Sequence, residues 1–553
     1  MVISKAKAGN KTYCFMLFVI GLLLIIPVID TKILPGHDHI FHISRIEAFA
    51  EALKQGVFPV RMCVDQVQFW GAPTGIFYPG LFSYLPAVLK MAGVPIEICY
   101  NIFIASIIYL GLFASWYGFS LLTRSKHIGF LSAILYISSG YFLFSAHMRN
   151  ALGELISLDF MPLAIACIIS VVGKTKVSRK VNLLAIFSIS AIIESHVLNS
   201  TFLALFGLCY SVISYKKLTL NKFKQLFCLT SILLLLNASF IVPFIEFYKE
   251  VPLNIHFIND FSNNGFKPST LFKFMIFWHS GQIISLYVLL VHNLFNIKSL
   301  SNYRRKQITY YFSFFLLGSF FVFASCSAFP WDCFPPLREL FKVMQFPWRF
   351  LGSASLFLSV CGGFGLYLLL KSITTTQNKT NKVAALALLI CFYHLLAFTF
   401  LSPLKIHGNW DMYEKCYWDR KPFYSDEDYL YRDMDTAALY KQGNNFITDA
   451  KITDWRRNLT DISFSYEAST DTIITLPLIN YPGYVAINQR GVNISITENY
   501  NHMMTLQLPK GNGQIKIKYE GLLSFKVADY VSLATLSAII AYTLFAKKHN
   551  QMI

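Results

Sequence analysis

The residues with most chemical promise form one run, Gly36-His37-Asp38-His39-Ile40-Phe41-His42-Ile43-Ser44-Arg45. His39, His42 and Arg45 recur every third residue, so a helix stacks them on one face with Asp38 at or near its N-cap. A carboxylate flanked by cationic side chains suits a general base or a metal ligand. The pattern equally fits an N-capping aspartate beside polar interfacial residues, since aspartate is a favoured cap. A second cluster gathers His147, Arg149, Asn150, Gly153 and Glu154, followed by Asp159. Asp159 lies in an apolar stretch, where an ionisable group is costly and points to function. Arg149 and Glu154 could also simply pair at the depth of the headgroups. Glu194-Ser195-His196 forms a third cluster, which could be catalytic or merely solvated. The fourth is Arg338, Lys342 and Gln345-Phe346-Pro347-Trp348-Arg349-Phe350. There Arg349 can donate bidentately to a phosphate, or serve with Trp348 as an interfacial anchor. No GxxxxGK[ST], HExxH or GxSxG motif competes with these clusters.

The elements that must position them are membrane spans. Of 553 residues, 55% are hydrophobic, 16% aromatic and only 14% charged, against about 25% charged in soluble domains. Apolar runs near the roughly 20 residues that a bilayer demands recur along the chain. They predict spans near 14–30, 98–122, 128–146, 153–173, 181–194, 197–214, 225–245, 271–293, 309–326, 349–370, 383–402 and 527–546. The first follows Lys5, Lys7 and Lys11 and lacks a small-x-small cleavage site, so it reads as an uncleaved helix. The formal charge of +18 reflects topology and not nucleic-acid binding. Arg124, Lys126, Lys174, Lys176, Arg179, Lys180, Lys216, Lys217, Lys222 and Lys224 fall in segments on one side. So do Lys298, Arg304, Arg305, Lys306, Lys371, Lys379, Lys382, Lys547 and Lys548, with no Asp or Glu among them. Such loops are cytoplasmic, which puts both termini inside and all four polar clusters outside. The eleven cysteines show no metal or redox spacing; Cys326 and Cys333 could pair, though two free thiols fit as well.

The outer side carries a long first loop, 31–97, and a polar region, 403–525. Within the loop, His39 to Gln55 reads as an interfacial helix stopped by Gly56, with Phe41, Ile46, Phe49, Ala50 and Leu53 on an apolar stripe and Arg45, Glu51 and Lys54 off it. In 403–525, Ile462–Tyr466, Thr472–Leu478, Tyr484–Asn488, Val492–Thr497, Met503–Leu508 and Gln514–Tyr519 alternate like strands. Asn480–Gly483 and Lys510–Gly513 read as turns, so the region is a small β-sandwich. The domain plan is a transmembrane domain 1–402, a β-rich domain 403–525, and a last helix with its tail, 526–553.

The run HDHIFHISRIEAFAEALKQGVFPVR, then Gly71, Phe77-Tyr78-Pro79 and Leu85-Pro86, resembles a family of bacterial polytopic membrane proteins labelled "6-pyruvoyl-tetrahydropterin synthase-related". Arg149-Asn150-Ala151-Leu152-Gly153-Glu154 with Pro162, and Gln345–Phe350, carry the same resemblance. That family is similar to the GT-C superfamily of integral membrane glycosyltransferases, in particular those that glycosylate lipoteichoic acid. The resemblance covers roughly 14–525 and is sharpest over 36–86 and 147–162. No motif of a soluble pterin enzyme occurs. The resemblance implies a GT-C fold with an interfacial helix in the first external loop; joined to the spans and strands read above, it makes the chain a mainly α, GT-C-like bundle of about twelve transmembrane helices with a C-terminal extracytoplasmic β-sandwich-like region. It also implies a polyprenyl-phosphate sugar donor, a reaction-centre acid at Asp38, and donor phosphate contacts at Arg45, Arg149 or Arg349. Paired acids are common in the first loop of GT-C proteins; here Asp38 stands between His37 and His39, which leaves dependence on a divalent metal open.

The reading is a glycosyltransferase of the bacterial cytoplasmic membrane. It moves a sugar from a lipid carrier to an extracytoplasmic polysaccharide or teichoic-acid-type acceptor. Asp38 and Glu154 are the candidate catalytic acids; His39, His42, Arg45, Arg149, His196 and Arg349 are the candidate substrate-binding residues. The rival readings are a transporter or flippase of a lipid-linked glycan, and a noncatalytic membrane scaffold.

Overall fold

The computed structural model describes residues 2–28, 36–64, 70–254, 264–269, 302–342, 346–373, 381–392 (except 384 and 387), 428–443 and 445–549. The protein is mainly helical and multi-pass, with a C-terminal β region. Among the described residues, five helices are long and apolar enough to cross a membrane: Ile96–Thr123, Leu152–Gly173, Gln307–Ala324, Pro347–Lys371 and Leu523–Phe545. Two bent pairs, Lys126–Ile137 with Gly140–Arg149 (44°) and Leu220–Leu236 with Ala238–Glu250 (74°), raise that number to seven if each is one span. The expected spans at 14–30, 181–194 and 197–214 coincide with the shorter helices Lys11–Leu24, Arg179–Ile193 and Val197–Ile213. The span 271–293 and most of 383–402 lie outside the described residues. Cys326 and Cys333 are free thiols.

The chain divides into two compact units. One comprises Met1–His39, Glu97–Leu229 and Phe257–Gly408. Inside it, Leu152–Gly173 packs on Arg179–Ile193, and Phe350–Ile373 packs on both Lys126–Ile137 and Asn302–Ala324. Small residues on Ile96–Thr123 let its backbone approach Leu152–Gly173, the usual route to tight packing where lipid removes the hydrophobic drive. Gly111 and Gly118, two turns apart on Ile96–Thr123, lie against the Asp159 carboxyl and the Pro162–Leu163 backbone. A methyl group at Gly118 would come within 2.6 Å of the Pro162 carbonyl carbon.

The other unit comprises Ile40–Ile96, Thr230–His256 and Asn409–Ile553. Its β-sandwich has β1 (Lys451–Asn458), β2 (Asp461–Ala468), β3 (Thr472–Ile479), β4 (Tyr484–Asn488), β5 (Asn493–Ile494), β6 (Ile496–Glu498), β7 (Met503–Leu508) and β8 (Gly511–Tyr519). A five-stranded sheet, β1-β2-β8-β4-β5, faces a three-stranded sheet, β3-β7-β6, and the strand pairs within them are antiparallel among the described residues. Alternate residues point inward: Ile462, Phe464 and Tyr466 from one sheet, Ile474, Leu476, Leu506 and Leu508 from the other. Trp70 and Phe77 of the first loop join that core, and the Trp70 indole N–H donates to the Gly443 carbonyl at 3.1 Å. The last helix is tied to Ala238–Glu250 by Asp529, which accepts from Ser239 Oγ and from Arg61 Nη2 at 2.7 Å.

Four details differ from the sequence reading. The expected strand Val492–Thr497 is two strands, because the chain changes sheet at Ser495: β5 pairs with β4 and β6 with β7. Lys510–Gly513 is not a turn throughout; Gly511–Gly513 begins β8 opposite Tyr466–Ala468, and Gly513 is bare because the Tyr466 ring lies over it. β1 was not expected, since its sequence KITDWRRN is polar. It is an exposed edge strand, interrupted by an irregularity near Asp454, and charged side chains and bulges are how such edges resist further pairing. Finally, Arg45 is not on the polar side of His39–Lys54. It is 1% exposed, and the exposed stripe runs instead through Glu51 and Lys54.

Candidate active site

The first unit assembles its polar cluster from four local structures. After Ile137 the sequence Ser138-Ser139-Gly140 breaks the helix, and Gly140–Phe144 runs into a π-helical turn, Ser145–Arg149. Such turns are uncommon and favour functional sites. Asn150 closes it in the left-handed conformation, φ 55°, which asparagine tolerates better than most residues. The helix Leu152–Gly173 starts two residues later and carries Glu154 in its first turn, where the helix dipole favours a carboxylate. A single turn, Pro347–Arg349, leads into Phe350–Ile373 and supplies Trp348 and Arg349.

The segment before Asp38 is docked onto the π turn by its backbone. His37 N–H donates to the Met148 carbonyl at 3.2 Å and Asp38 N–H to the Arg149 carbonyl at 2.8 Å. Gly36 permits this approach: a Cβ there would run into the Asn150 side chain and reach within 2.8 Å of the Met148 oxygen. Gly36→Ala is therefore expected to force this segment off the turn, at about 1–3 kcal/mol. A thermal melt in detergent tests it, and an unchanged midpoint would contradict the packing.

Charges then converge. Arg149 Nη1 donates to Glu154 Oε2 at 2.9 Å, and its Nη2 lies 4.0 Å from Asp38 Oδ2. Arg349 Nε lies 4.0 Å from the same Glu154 oxygen. Tyr141 donates its hydroxyl to Glu154 Oε1. The Arg149 guanidinium sits 4.7 Å over the Trp348 ring, a cation–π arrangement that fixes its plane. Arg149 and Glu154 are buried, whereas the Asp38 side chain is 41% exposed. Burial still raises the Asp38 pKa above the ordinary carboxylate value; Arg149, Arg349 and His37 pull it back, and Glu154 adds to the rise.

His196 stands beside this group. Its ring caps Val197–Ile213 by accepting from the Asn199 N–H at 3.4 Å. Burial pushes its pKa down to about 4; Glu154 pulls it up, and Arg349 and Arg149 oppose that. His196 is therefore neutral at ordinary pH. Asn199 donates onward to Ser157, whose hydroxyl donates to the Glu154 carbonyl at 2.5 Å.

The remaining candidates are placed otherwise. His39 Nδ1 meets the Gly36 carbonyl at 2.6 Å, and burial lowers its pKa against that hydrogen bond. In the second unit, the His42 ring lies edge-on to Phe41 and Tyr78, with centroids at 5.3 and 5.8 Å. Arg45 Nη2 donates to the carbonyls of Tyr78 (3.1 Å) and Pro79 (3.2 Å), with the Tyr78 ring 4.6 Å from its guanidinium. Arg45 thus braces the Tyr78–Pro79 loop. Arg338 is engaged by Asp332 and Glu339 at the surface. Asp159 is fully buried and makes no hydrogen bond among the described residues. The side chains of Lys342 and Gln345 lie outside the described residues.

Sequence reasoning missed Tyr141, Ser157 and Asn199, which bear no motif. The helix break at Ser138-Ser139-Gly140 was the available signal for Tyr141. Among the described residues no three His, Cys, Asp or Glu side chains come together to hold a metal ion.

The chain is similar to the solved structure of ArnT from Cupriavidus metallidurans bound to undecaprenyl phosphate. The identity is 11%, covering 70% of this chain and 76% of that one, at a TM-score of 0.43. It is similar to the arabinofuranosyltransferase AftD from Mycobacteria at 14% identity and TM-score 0.41, over 70% of this chain but only 27% of that one. It is also similar to AglB, the archaeal oligosaccharyltransferase from Archaeoglobus fulgidus in complex with an inhibitory peptide and a dolichol-phosphate. There the identity is 13% and the TM-score 0.40, over 77% of this chain and 59% of that one. No protein-family model and no curated protein matches the chain, so the "6-pyruvoyl-tetrahydropterin synthase-related" resemblance gains no support from those comparisons.

Proposed function

We propose that this protein is a GT-C-type membrane glycosyltransferase that moves a sugar from a polyprenyl-phosphate carrier to an extracytoplasmic glycan or teichoic-acid-type acceptor. The observation that carries the reading is the meeting of a solvent-reachable carboxylate, Asp38, with two guanidinium groups, Arg149 and Arg349, around one buried anion. In this reading Asp38 takes the proton of the acceptor hydroxyl as it attacks the anomeric carbon. The bond from that carbon to the carrier phosphate breaks, and Arg149 and Arg349 stabilise the charge left on the departing phosphate. His196, neutral at the edge of the cluster, fits a hydrogen-bonding contact to the sugar. Both termini face the cytoplasm, the site faces outward, and the β-rich region 403–525 presents the acceptor.

The test is transfer by purified protein in liposomes supplied with radiolabelled polyprenyl-phosphate hexoses. Label appearing in a polymer or in water supports the reading. Leaflet movement of the carrier without covalent transfer would favour a flippase, and neither would leave a scaffold. A pH profile follows from the Asp38 environment. The base works only when ionised and its pKa is raised, so transfer is expected to climb with pH beyond the ordinary carboxylate range. A rate that already levels off within the ordinary carboxylate range would contradict that role.

A further inference from the structure

Both carboxylate oxygens of Glu154 are committed: Oε1 accepts from the Tyr141 hydroxyl and Oε2 from Arg149 Nη1 at 2.9 Å, with Arg349 Nε 4.0 Å away. The residue is 3% exposed. A carboxylate so placed has both oxygens engaged inside the protein, where it neutralises the guanidinium groups that would hold a phosphate. Among the described ion pairs of this cluster, the Arg149 and Arg349 charges are set against those of Asp38 and Glu154, so an arriving phosphate must compete with anions already in place. Arg149 divides its donors, Nη1 to Glu154 and Nη2 toward Asp38, which leaves the second edge as the one that can change partner.

We propose that Glu154 is a built-in counter-anion that competes with the carrier phosphate for Arg149 and Arg349, and thereby sets how readily the spent carrier leaves. The inference rests on the reading of the site given above and gives Glu154 a positioning role in place of a proton-transfer role. Two arginines facing a phosphate with no internal rival would hold the product tightly. An adjacent buried carboxylate opposes that hold by like-charge repulsion, which is strong where water is excluded.

The test uses the full-length protein in nanodiscs of phosphatidylglycerol and phosphatidylethanolamine, with undecaprenyl phosphate as probe. Glu154→Gln keeps the shape and removes the charge; it is expected to bind the probe more tightly, on the order of tenfold, and to release it more slowly. Glu51→Gln, on an exposed helix face, makes the same change in charge and is expected to leave binding as it is. Tyr141→Phe is the second variant, needed if Glu154→Gln does not fold. It frees Oε1 to turn toward Arg349 and is expected to weaken probe binding several-fold. Equal or weaker binding by Glu154→Gln, or unchanged binding by Tyr141→Phe where that is the folded variant, overturns the counter-anion. Wild-type protein that binds no undecaprenyl phosphate sinks the reading of the site itself and this inference with it.

Discussion

Replacing Asp38 by Asn is expected to lower sugar transfer by about 10²–10⁴-fold, the usual worth of a positioned general base. The substitution is nearly isosteric, and the Asp38 N–H that donates to the Arg149 carbonyl stays in place. The segment should therefore remain docked on the π turn, and a purified variant should melt within a degree or two of wild type. Carrier binding should persist or tighten, because one negative charge near Arg149 is gone. Rate and affinity thus move apart, which a misfolded site would not produce. Full transfer by Asp38→Asn would remove Asp38 from the chemistry.

Arg149→Gln should have the second largest effect, and on stability as much as on function. Its guanidinium joins Glu154, Asp38 and the Trp348 face, so its loss leaves a buried carboxylate without its principal partner. Breaking one side of a buried pair costs about 3–5 kcal/mol, and the melting temperature should fall accordingly. Arg149→Lys restores the charge but not the forked donor geometry, so it should recover stability better than carrier binding. The checks are a thermal melt and equilibrium binding of polyprenyl phosphate side by side. A Gln variant matching wild type in both would show that the pair holds nothing.

Much of this protein's form is written in local pattern. Strand β2 carries the alternating run Ile462–Tyr466 with Ile462, Phe464 and Tyr466 buried, because a sheet with one buried face imposes period two on its sequence, and β3, β4 and β7 also fall on the expected runs. The apolar spans at 98–122, 153–173, 309–326, 349–370 and 527–546 each correspond to a helix long enough to cross a membrane, since hydrocarbon selects for length and composition alone. Local pattern fails where a neighbour changes the rules. β1 is polar because its outer side faces solvent at a sheet edge. Gly511–Gly513 looks like a turn until Tyr466 covers it.

For the candidate site, the sequence offers Asp38, Arg149, Glu154, His196 and Arg349 as polar groups at the ends of apolar segments, a choice made on residue type and position alone. It could not sort them from Arg45, which has the same type and falls within the same motif-like run. Only the tertiary structure decides that Arg45 meets the Tyr78 and Pro79 carbonyls while Arg149 meets Glu154 and Asp38. The reason is physical. A buried guanidinium takes whatever acceptors surround it: Glu154 lies five residues from Arg149, but Asp38 comes from a segment far away in sequence, docked there by a bare Gly36, a π turn and a left-handed Asn150.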